Sequence, residues 1–229
     1  MSGEETVRNA EKRRKILSGF FSEFEKTRER LHRTRKDLFE NLIDYAIGWF
    51  PPACAGENGT DAALTPLTLS MMSTVAALAG DDDWMDVPGE LYMQLAMHEK
   101  GFGQFFTPKT VCDCMAAVSD AGKTQEKGEG PVTVADPCCG SGRMLLAART
   151  SAIRSGHDVF VSGADLDPLC TKMTAWNLAI HGCRGEAVCM NSLTNEFRFG
   201  YAVNELLAET GIPSIRLSEN PQEFSITNR

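Results

Sequence analysis

The nine residues from Ala135 to Arg143 read ADPCCGSGR and hold most of the chemically capable groups found close together in this chain. They include the acid Asp136, the thiols Cys138 and Cys139, and the small residues Gly140, Ser141 and Gly142. Three chemistries use such a set: metal ligation, a disulfide, or a cradle for a ligand. The eight cysteines stand at 54, 112, 114, 138, 139, 170, 183 and 189, with no Cys-x-x-Cys pair and no matching His spacing. Zinc sites and disulfide frameworks need more regular spacing, and adjacent cysteines are badly placed to share one tetrahedral ion. Reduced, mostly buried thiols are the better reading, and no metal is expected.

The cradle is narrowed by what it lacks. Gly140 and Gly142 permit a tight turn and a close approach of ligand to backbone. Dinucleotide binders need Gly-x-Gly-x-x-Gly, but position 145 is Leu. A phosphate loop would continue with Gly-Lys-Ser/Thr, and here Arg143 and Met144 follow Gly142. An acid ending a strand before a Cys-Gly-Ser-Gly turn suggests a nucleotide-like ligand without a pyrophosphate. Asp165 lies where, about twenty residues past a glycine loop, an acid grips ribose hydroxyls.

Elements must hold these residues in place. Apolar strand patterns at 132–135, 159–163 and 187–190 alternate with helical patterns at 143–155 and 168–181. Such alternation predicts parallel βαβ units. Right-handed crossovers then give a doubly wound sheet with ligands beyond the carboxyl ends of its strands. A helix over 108–119 and the polar linker AGKTQEKGEG come before it. Upstream, Ile16, Phe20, Phe24, Leu31, Leu38, Leu42, Ala46 and Trp49 recur at helical spacing across 11–50. Pro51 and Pro52 end that helix, and further helices are expected near 67–78 and 88–98. The division expected is a helical N-terminal region, 1–100, followed by an α/β domain, 101–229.

With these residues on the page, a family resemblance is specific. Asp136-Pro137-Cys138-Cys139-Gly140-Ser141-Gly142 resembles the S-adenosylmethionine loop of adenine-N6 DNA methyltransferases. The likeness is nearest to the modification (M) subunits of type I restriction-modification systems, whose loop usually reads Asp-Pro-Ala-Cys-Gly-Ser-Gly. Gly103-Gln104-Phe105-Phe106-Thr107-Pro108 resembles the Gly-Gln-Phe/Tyr-Thr-Pro signature that precedes that loop. The similarity covers roughly residues 88–193. It implies a Rossmann-like S-adenosylmethionine-dependent methyltransferase fold with a partial parallel sheet, and S-adenosyl-L-methionine as cofactor.

The same resemblance implies roles. Phe106, Thr107 and Pro108 open a helix whose free amides suit the methionine carboxylate, with Thr107 as N-cap and Pro108 at N1. Asp136 accepts from the ligand's ammonium, and Pro137, Cys139, Gly140, Ser141 and Gly142 form the turn around it. Asp165 and Leu166 stand where the family has Gly-x-Glu-x-Asp-Pro; Asp for Glu keeps the charge and shortens the reach. Asp167 caps the following helix, while Trp176, Asn177 and His181 serve packing and helix termination. Asn191 stands where the family places an Asp for the cofactor's adenine amine, and its carbonyl oxygen still accepts.

For the acceptor base the family uses Asn/Asp-Pro-Pro-aromatic, where the amide accepts from the target amine and the ring stacks on a flipped base. The nearest stretch here is SENPQEF, giving Asn220, Pro221 and Phe224 as catalytic candidates, with Gln222 replacing the second proline. The function implied is methyl transfer to adenine in DNA. The alternative is a catalytically silent subunit that binds cofactor or DNA within a larger methyltransferase or restriction-modification assembly. A complete sheet of this family has about seven strands, whereas three or four are legible here. Three alternatives follow for the open sheet edge: residues 194–229 fold back over it, a partner subunit or second copy covers it, or the protein is a reduced descendant of the family.

Bulk properties bound the rest. Net charge is −8, split as eleven basic and six acidic groups in residues 1–36 and 12 basic against 25 acidic beyond. The basic end points to DNA through Arg28, Arg30, Arg33 and Arg35, or else to a solvated helix laced with ion pairs. Apolar runs are too short to span a bilayer, and the charged N-terminus carries no apolar secretory core. No membrane partner and a cytoplasmic location are the corresponding expectations.

Overall fold

The computed structural model describes residues 3–51, 61–78, 84–96, 104–121 and 131–228. The expected division near residue 100 and Gly103 lie outside these residues. Helices α1 (Gly3–Leu31) and α2 (Arg35–Ile47) replace the single helix expected over 11–50. The chain breaks at His32, whose φ of 51° is left-handed. Thr34 then starts α2 by accepting from the Asp37 amide at 3.1 Å. The helix closes at Gly48, before the prolines are reached. Helices α3 (Thr65–Leu78) and α4 (Val87–Ala96) complete the N-terminal layer, and Phe20, Phe24, Leu38, Leu42, Leu67 and Met71 fill it.

After α5 (Lys109–Ala121) come β1 (Val132–Asp136), α6 (Arg143–Arg154), β2 (Val159–Asp165), α7 (Pro168–Ile180) and β3 (Gly185–Asn191). The three strands are parallel neighbours in that order, with Asp136 level with Gly163 and Asp165 level with Cys189. The expected βαβ units are therefore present. The sheet is nevertheless mixed, because β4 (Glu196–Val203) and β5 (Ile215–Ser218) add antiparallel beyond β3. Strand order is β1-β2-β3-β4-β5, and a short helix, α8 (Leu207–Thr210), links the last two.

This order settles one expectation about the tail. Residues 196–218 extend the sheet at the β3 side, at the end opposite β1. Among the described residues β1 pairs with β2 alone, so the tail does not cover that edge.

Helix α7 is the hub. Every residue type along it, from Cys170 to Ala179, is buried apart from Lys172. It packs on β2, β3 and β4 on one side and on α2 and α4 on the other. One apolar cluster accordingly runs from Leu17 and Phe39 through Trp176 to Val161, Ala187 and Tyr201. The other sheet face is covered by the chain's last turns: Phe224 packs with Ala164, Val188, Met190 and Ala202. Buried Glu186 ties that segment down, accepting from the Ser225 and Ile226 amides, both at 2.9 Å, and from the Ser225 hydroxyl at 2.7 Å.

Candidate cofactor site

The turn after β1 is built by its glycines. Gly140 and Gly142 have φ of +56° and +86°, conformations costly for residues with a Cβ. A Cβ on Gly140 would also stand 3.0 Å from the Phe106 ring, which is laid against the turn. Asp136, at the strand's end, accepts from the Cys138 amide at 3.0 Å, an Asx turn that bends the chain off the sheet. Asp165, at the end of the neighbouring strand, accepts from the Gly140 amide and from its own Asp167 amide, both at 2.9 Å. The two carboxylates thus flank one turn.

Between them opens a cavity of about 410 Å³ lined by Gln104, Phe105, Phe106, Thr107, Asp136, Cys138, Cys139, Gly140, Ser141, Arg143, Met144 and Asp165. It lies at the carboxyl ends of β1 and β2, where open α/β sheets take ligands, and its size suits a nucleoside-sized molecule. Burial holds the Asp165 carboxyl above the ordinary carboxylate range, and the two amide bonds only partly offset this. Burial also pushes the Cys139 thiol up, so it stays neutral; it lies 3.4 Å from the Thr174 hydroxyl. Cys138 is exposed.

Of the residues expected at a cofactor, Phe106, Thr107, Asp136, Cys139, Gly140, Ser141 and Asp165 come together on that wall. Pro108, Pro137, Gly142, Leu166 and Asn191 stand off it. The helix expected to start with Thr107 as N-cap begins at Lys109 instead, and the Pro108 carbonyl takes the first bonds, from the Val111 and Cys112 amides. Gly142 is the N-cap of α6. Leu166 is an exposed apolar side chain beside Asp165. The Asn191 oxygen, expected to meet an adenine amine, accepts from the Leu193 and Thr194 amides at 3.0 and 3.3 Å. Asp167 caps α7 through the Leu169 amide at 2.8 Å, as its position predicts.

The acceptor-base candidates require correction. Asn220 accepts from the Gln222 amide at 3.1 Å and so starts the 3-10 turn Pro221–Glu223. Phe224 is 1% exposed in the second core cluster, its ring 5.8 Å from that of Phe197. A ring packed under the sheet offers no face to a flipped base. Asn220 follows β5, three strands from β2, a lateral offset of about 14 Å at ordinary strand spacing. Asn220 and Pro221 form a capped turn, and Phe224 is a core plug.

One residue of the site, Asp86, went unnoticed in the sequence, and Asn177 and Gln104 do more than was expected of them. The Asp86 carboxylate, 1% exposed, accepts from Ser141 Oγ at 2.6 Å, Arg143 Nε at 2.6 Å, Asn177 Nδ2 at 2.7 Å and the Gly89 amide at 2.8 Å. Asn177 also donates to the Ser141 carbonyl at 2.8 Å, a fixing role beyond the packing expected of it. Gln104 donates to Asp167 at 2.9 Å and accepts from the Cys170 thiol at 2.9 Å, which docks the 104–108 segment on the start of α7. The one available signal was an acid three residues before a glycine, Asp86 to Gly89, at the start of a helical pattern.

Part of the chain is similar in sequence to known methyltransferases. The methylase subunit of the type I restriction enzyme MjaIX from Methanocaldococcus jannaschii is 32% identical over 87 residues, 37% of this chain and 14% of that protein. A 23S rRNA (guanine(2535)-N(1))-methyltransferase from Streptomyces viridochromogenes is 45% identical over 53 residues, 23% of this chain and 20% of that one. The chain thus spans a fifth or less of these curated relatives. Among solved structures, a putative class I S-adenosylmethionine-dependent methyltransferase from Listeria monocytogenes aligns over 76% of this chain and 52% of its own, with TM-score 0.48 and 13% identity. The methyltransferase subunit of a type I restriction-modification system from Streptococcus thermophilus aligns over 54% and 26%, with TM-score 0.33 and 24% identity. Residues 84–199, half of the chain, match the N-6 DNA methylase family and carry the whole cavity wall, and the chain belongs to that family.

Proposed function

We propose that the chain holds S-adenosyl-L-methionine in the cavity around Gly140 and serves methyl transfer to the exocyclic amine of adenine in DNA. The observation that carries this is the joint lining of one cavity by Asp136, Asp165, Phe106 and the Gly140 turn. The donor set fits the ligand. Two carboxylates line the cavity, and the ligand offers an ammonium and a pair of ribose hydroxyls as donors. When bound, the cofactor supplies a methyl group on a sulfonium, ready for in-line displacement. The chain's own residues bind and orient. Asp136 receives the ammonium, Asp165 the ribose hydroxyls, and the Phe106 ring with Gly140 closes the floor. Such a transfer depends on alignment more than on a strong base.

A second reading has its own observation. The outward backbone of β1, at Thr133 and Ala135, borders an apolar groove of about 470 Å³ lined by Met115, Ala116, Val134, Pro137, Leu145 and Ala148. Asp136 and Met144 belong to both groove and cofactor cavity. In this reading a partner chain adds a strand to β1 and brings the base-holding groups to the cavity's open side. One relative is itself a methylase subunit.

Incubation with adenine-containing DNA and methyl-labelled cofactor separates the two. Transfer by the chain alone, unchanged in Ala135→Pro, supports the first reading. Transfer only by a purified complex, lost in Ala135→Pro, supports the second, because proline removes an outward donor without touching the β2 ladder. Label on cytosine or RNA and none on adenine contradicts both.

A further inference from the structure

Residues 84–86, the strap that leads into α4, are each gripped by a different part of the protein. The Trp84 indole donates to the Asp113 carboxylate of α5 at 2.9 Å. The Met85 amide donates to Nε2 of His181 at 3.0 Å. The Asp86 carboxylate takes the glycine turn through Ser141 and Arg143, and α7 through Asn177. Asn177 and His181 are four residues apart and so share one helix face, and α7 holds two successive residues of the strap at once. The helix end also fixes the ring. His181 is the C-cap of α7, and its Nδ1 lies 2.9 Å from the Asn177 carbonyl.

Those two ring bonds allow one protonation state. A carbonyl only accepts, so Nδ1 carries the hydrogen; an amide N–H only donates, so Nε2 is bare. A second proton would set Nε2–H against the Met85 N–H. We propose that His181 is a positioning residue for the cofactor turn: its neutral ring latches Met85 so that Asp86 reaches Ser141 and Arg143, and its protonation opens the latch. The proposal rests on the cofactor reading above and adds an acid-sensitive control to that site. Burial lowers the pKa of the ring below the ordinary histidine value, although the bond to Asn177 and the Asp86 charge work the other way. Among the described residues, the charged groups that act on it are Asp86 on the strap and Arg149 on α6, and the Arg149 cation opposes a second positive charge. The Cys183 thiol, in contact with the His181 carbonyl, is pushed up to about 11 by burial and stays neutral. The sign of the pH effect follows. Above about pH 6.5 the ring is neutral whether latched or free. Below that, the free ring takes up a proton first, so the latched form is lost as pH falls.

His181→Gln is the discriminating variant, because its side-chain oxygen accepts from Met85 but does not titrate. Calorimetric titration of the purified full chain with S-adenosylhomocysteine compares it with the unaltered chain on both sides of the histidine range. At about pH 7.5 the two affinities should agree within about threefold, and at about pH 5.5 the unaltered chain should be the weaker by roughly fivefold or more. Other titrating groups are common to both chains, so the ratio isolates the ring. Nitrogen NMR of the unaltered chain, with the His181 signals identified by their loss in the variant, should show Nδ1 protonated and Nε2 bare near neutrality, and titration below about 6.5. The same pH dependence in both chains would overturn the proposal, as would a His181 ring protonated at Nε2 near neutrality. If His181→Gln does not fold, the rings of the unaltered chain decide, each of the other histidines being assigned by its own substitution. Failure of the unaltered chain to bind S-adenosylhomocysteine at neutral pH would instead overturn the cofactor reading, while the nitrogen spectra still judge the latch.

Discussion

Four donors from three segments converge on the Asp86 carboxylate, and the site depends on that convergence. Asp86 joins α4, the glycine turn and α7 through Gly89, Ser141, Arg143 and Asn177. A buried charge that loses its partner costs about 3–5 kcal/mol, so Asp86→Ala should sharply lower the midpoint of chemical denaturation and weaken cofactor binding together. Gly89→Ala tests the same joint from the other side, since a Cβ there would overlap the Asp86 carboxylate; its melting temperature should fall. Asp136, Gly140 and Gly142 were readable in the sequence because a turn is a local event, specified by neighbours. Asp86 was not, because its partner Arg143 is 57 positions away and no local pattern marks a salt bridge between segments. Asn220 and Phe224 misled for the complementary reason. Asn-Pro starts a capped turn as readily as it holds a base, and local spelling does not separate the two.

At the scale of elements, periodicity predicted β1, α6, β2, α7 and β3 to within a few residues, since each buries a face or a whole strand. The hairpin strands β4 and β5 went unread. EFRFGYAV places aromatic residues at every second position. Yet Phe197 packs near the cluster on one sheet face and Phe199 and Tyr201 against the other, because the β3–β4 register shifts between Cys189 and Met190. Arginine and glycine also interrupt its apolar character. Phe224 completes that element from outside. Phe224→Ala should cost about 3–5 kcal/mol of stability, while cofactor affinity of the folded fraction stays near that of the unaltered chain. A large loss of affinity without a loss of stability would return the ring to the ligand site.

The corner between α1 and α2 makes a different prediction. Burial would raise the Glu25 carboxyl, but Arg35 and Arg28, at 2.6 and 2.7 Å, outweigh it and hold it below the usual range. A lowered carboxylate contributes stability that is present above its unfolded pKa, about 4.3, and lost as pH falls through the folded value. The melting-temperature difference between the unaltered chain and Glu25→Gln should therefore be largest near neutrality and shrink between about pH 5 and 3.

For the whole molecule, charge and sheet order set the terms of recognition. The basic first 36 residues suggested a DNA contact, yet the four arginines named for it are engaged within the protein. Arg28 and Arg35 pair with Glu25, Arg33 with Asp61 at 2.6 Å, and Arg30 donates to the Ala63 carbonyl at 3.1 Å. Reversing these charges should lower the melting temperature before it alters any salt dependence of DNA binding. The sheet runs in one order from β1 to β5, so both acids, the glycine turn and Arg143 gather at its β1–β2 end, beside the open edge.

The most direct measurement is a calorimetric titration of the purified chain with S-adenosyl-L-methionine, repeated on Asp165→Ala and on Phe224→Leu. Saturable one-to-one binding is expected, weakened by roughly tenfold or more in Asp165→Ala, as for loss of a charge-assisted hydrogen bond, and nearly unchanged in folded Phe224→Leu. Absence of saturable binding, or equal affinity in the unaltered chain and Asp165→Ala, would contradict the assignment of the cavity to the methyl donor.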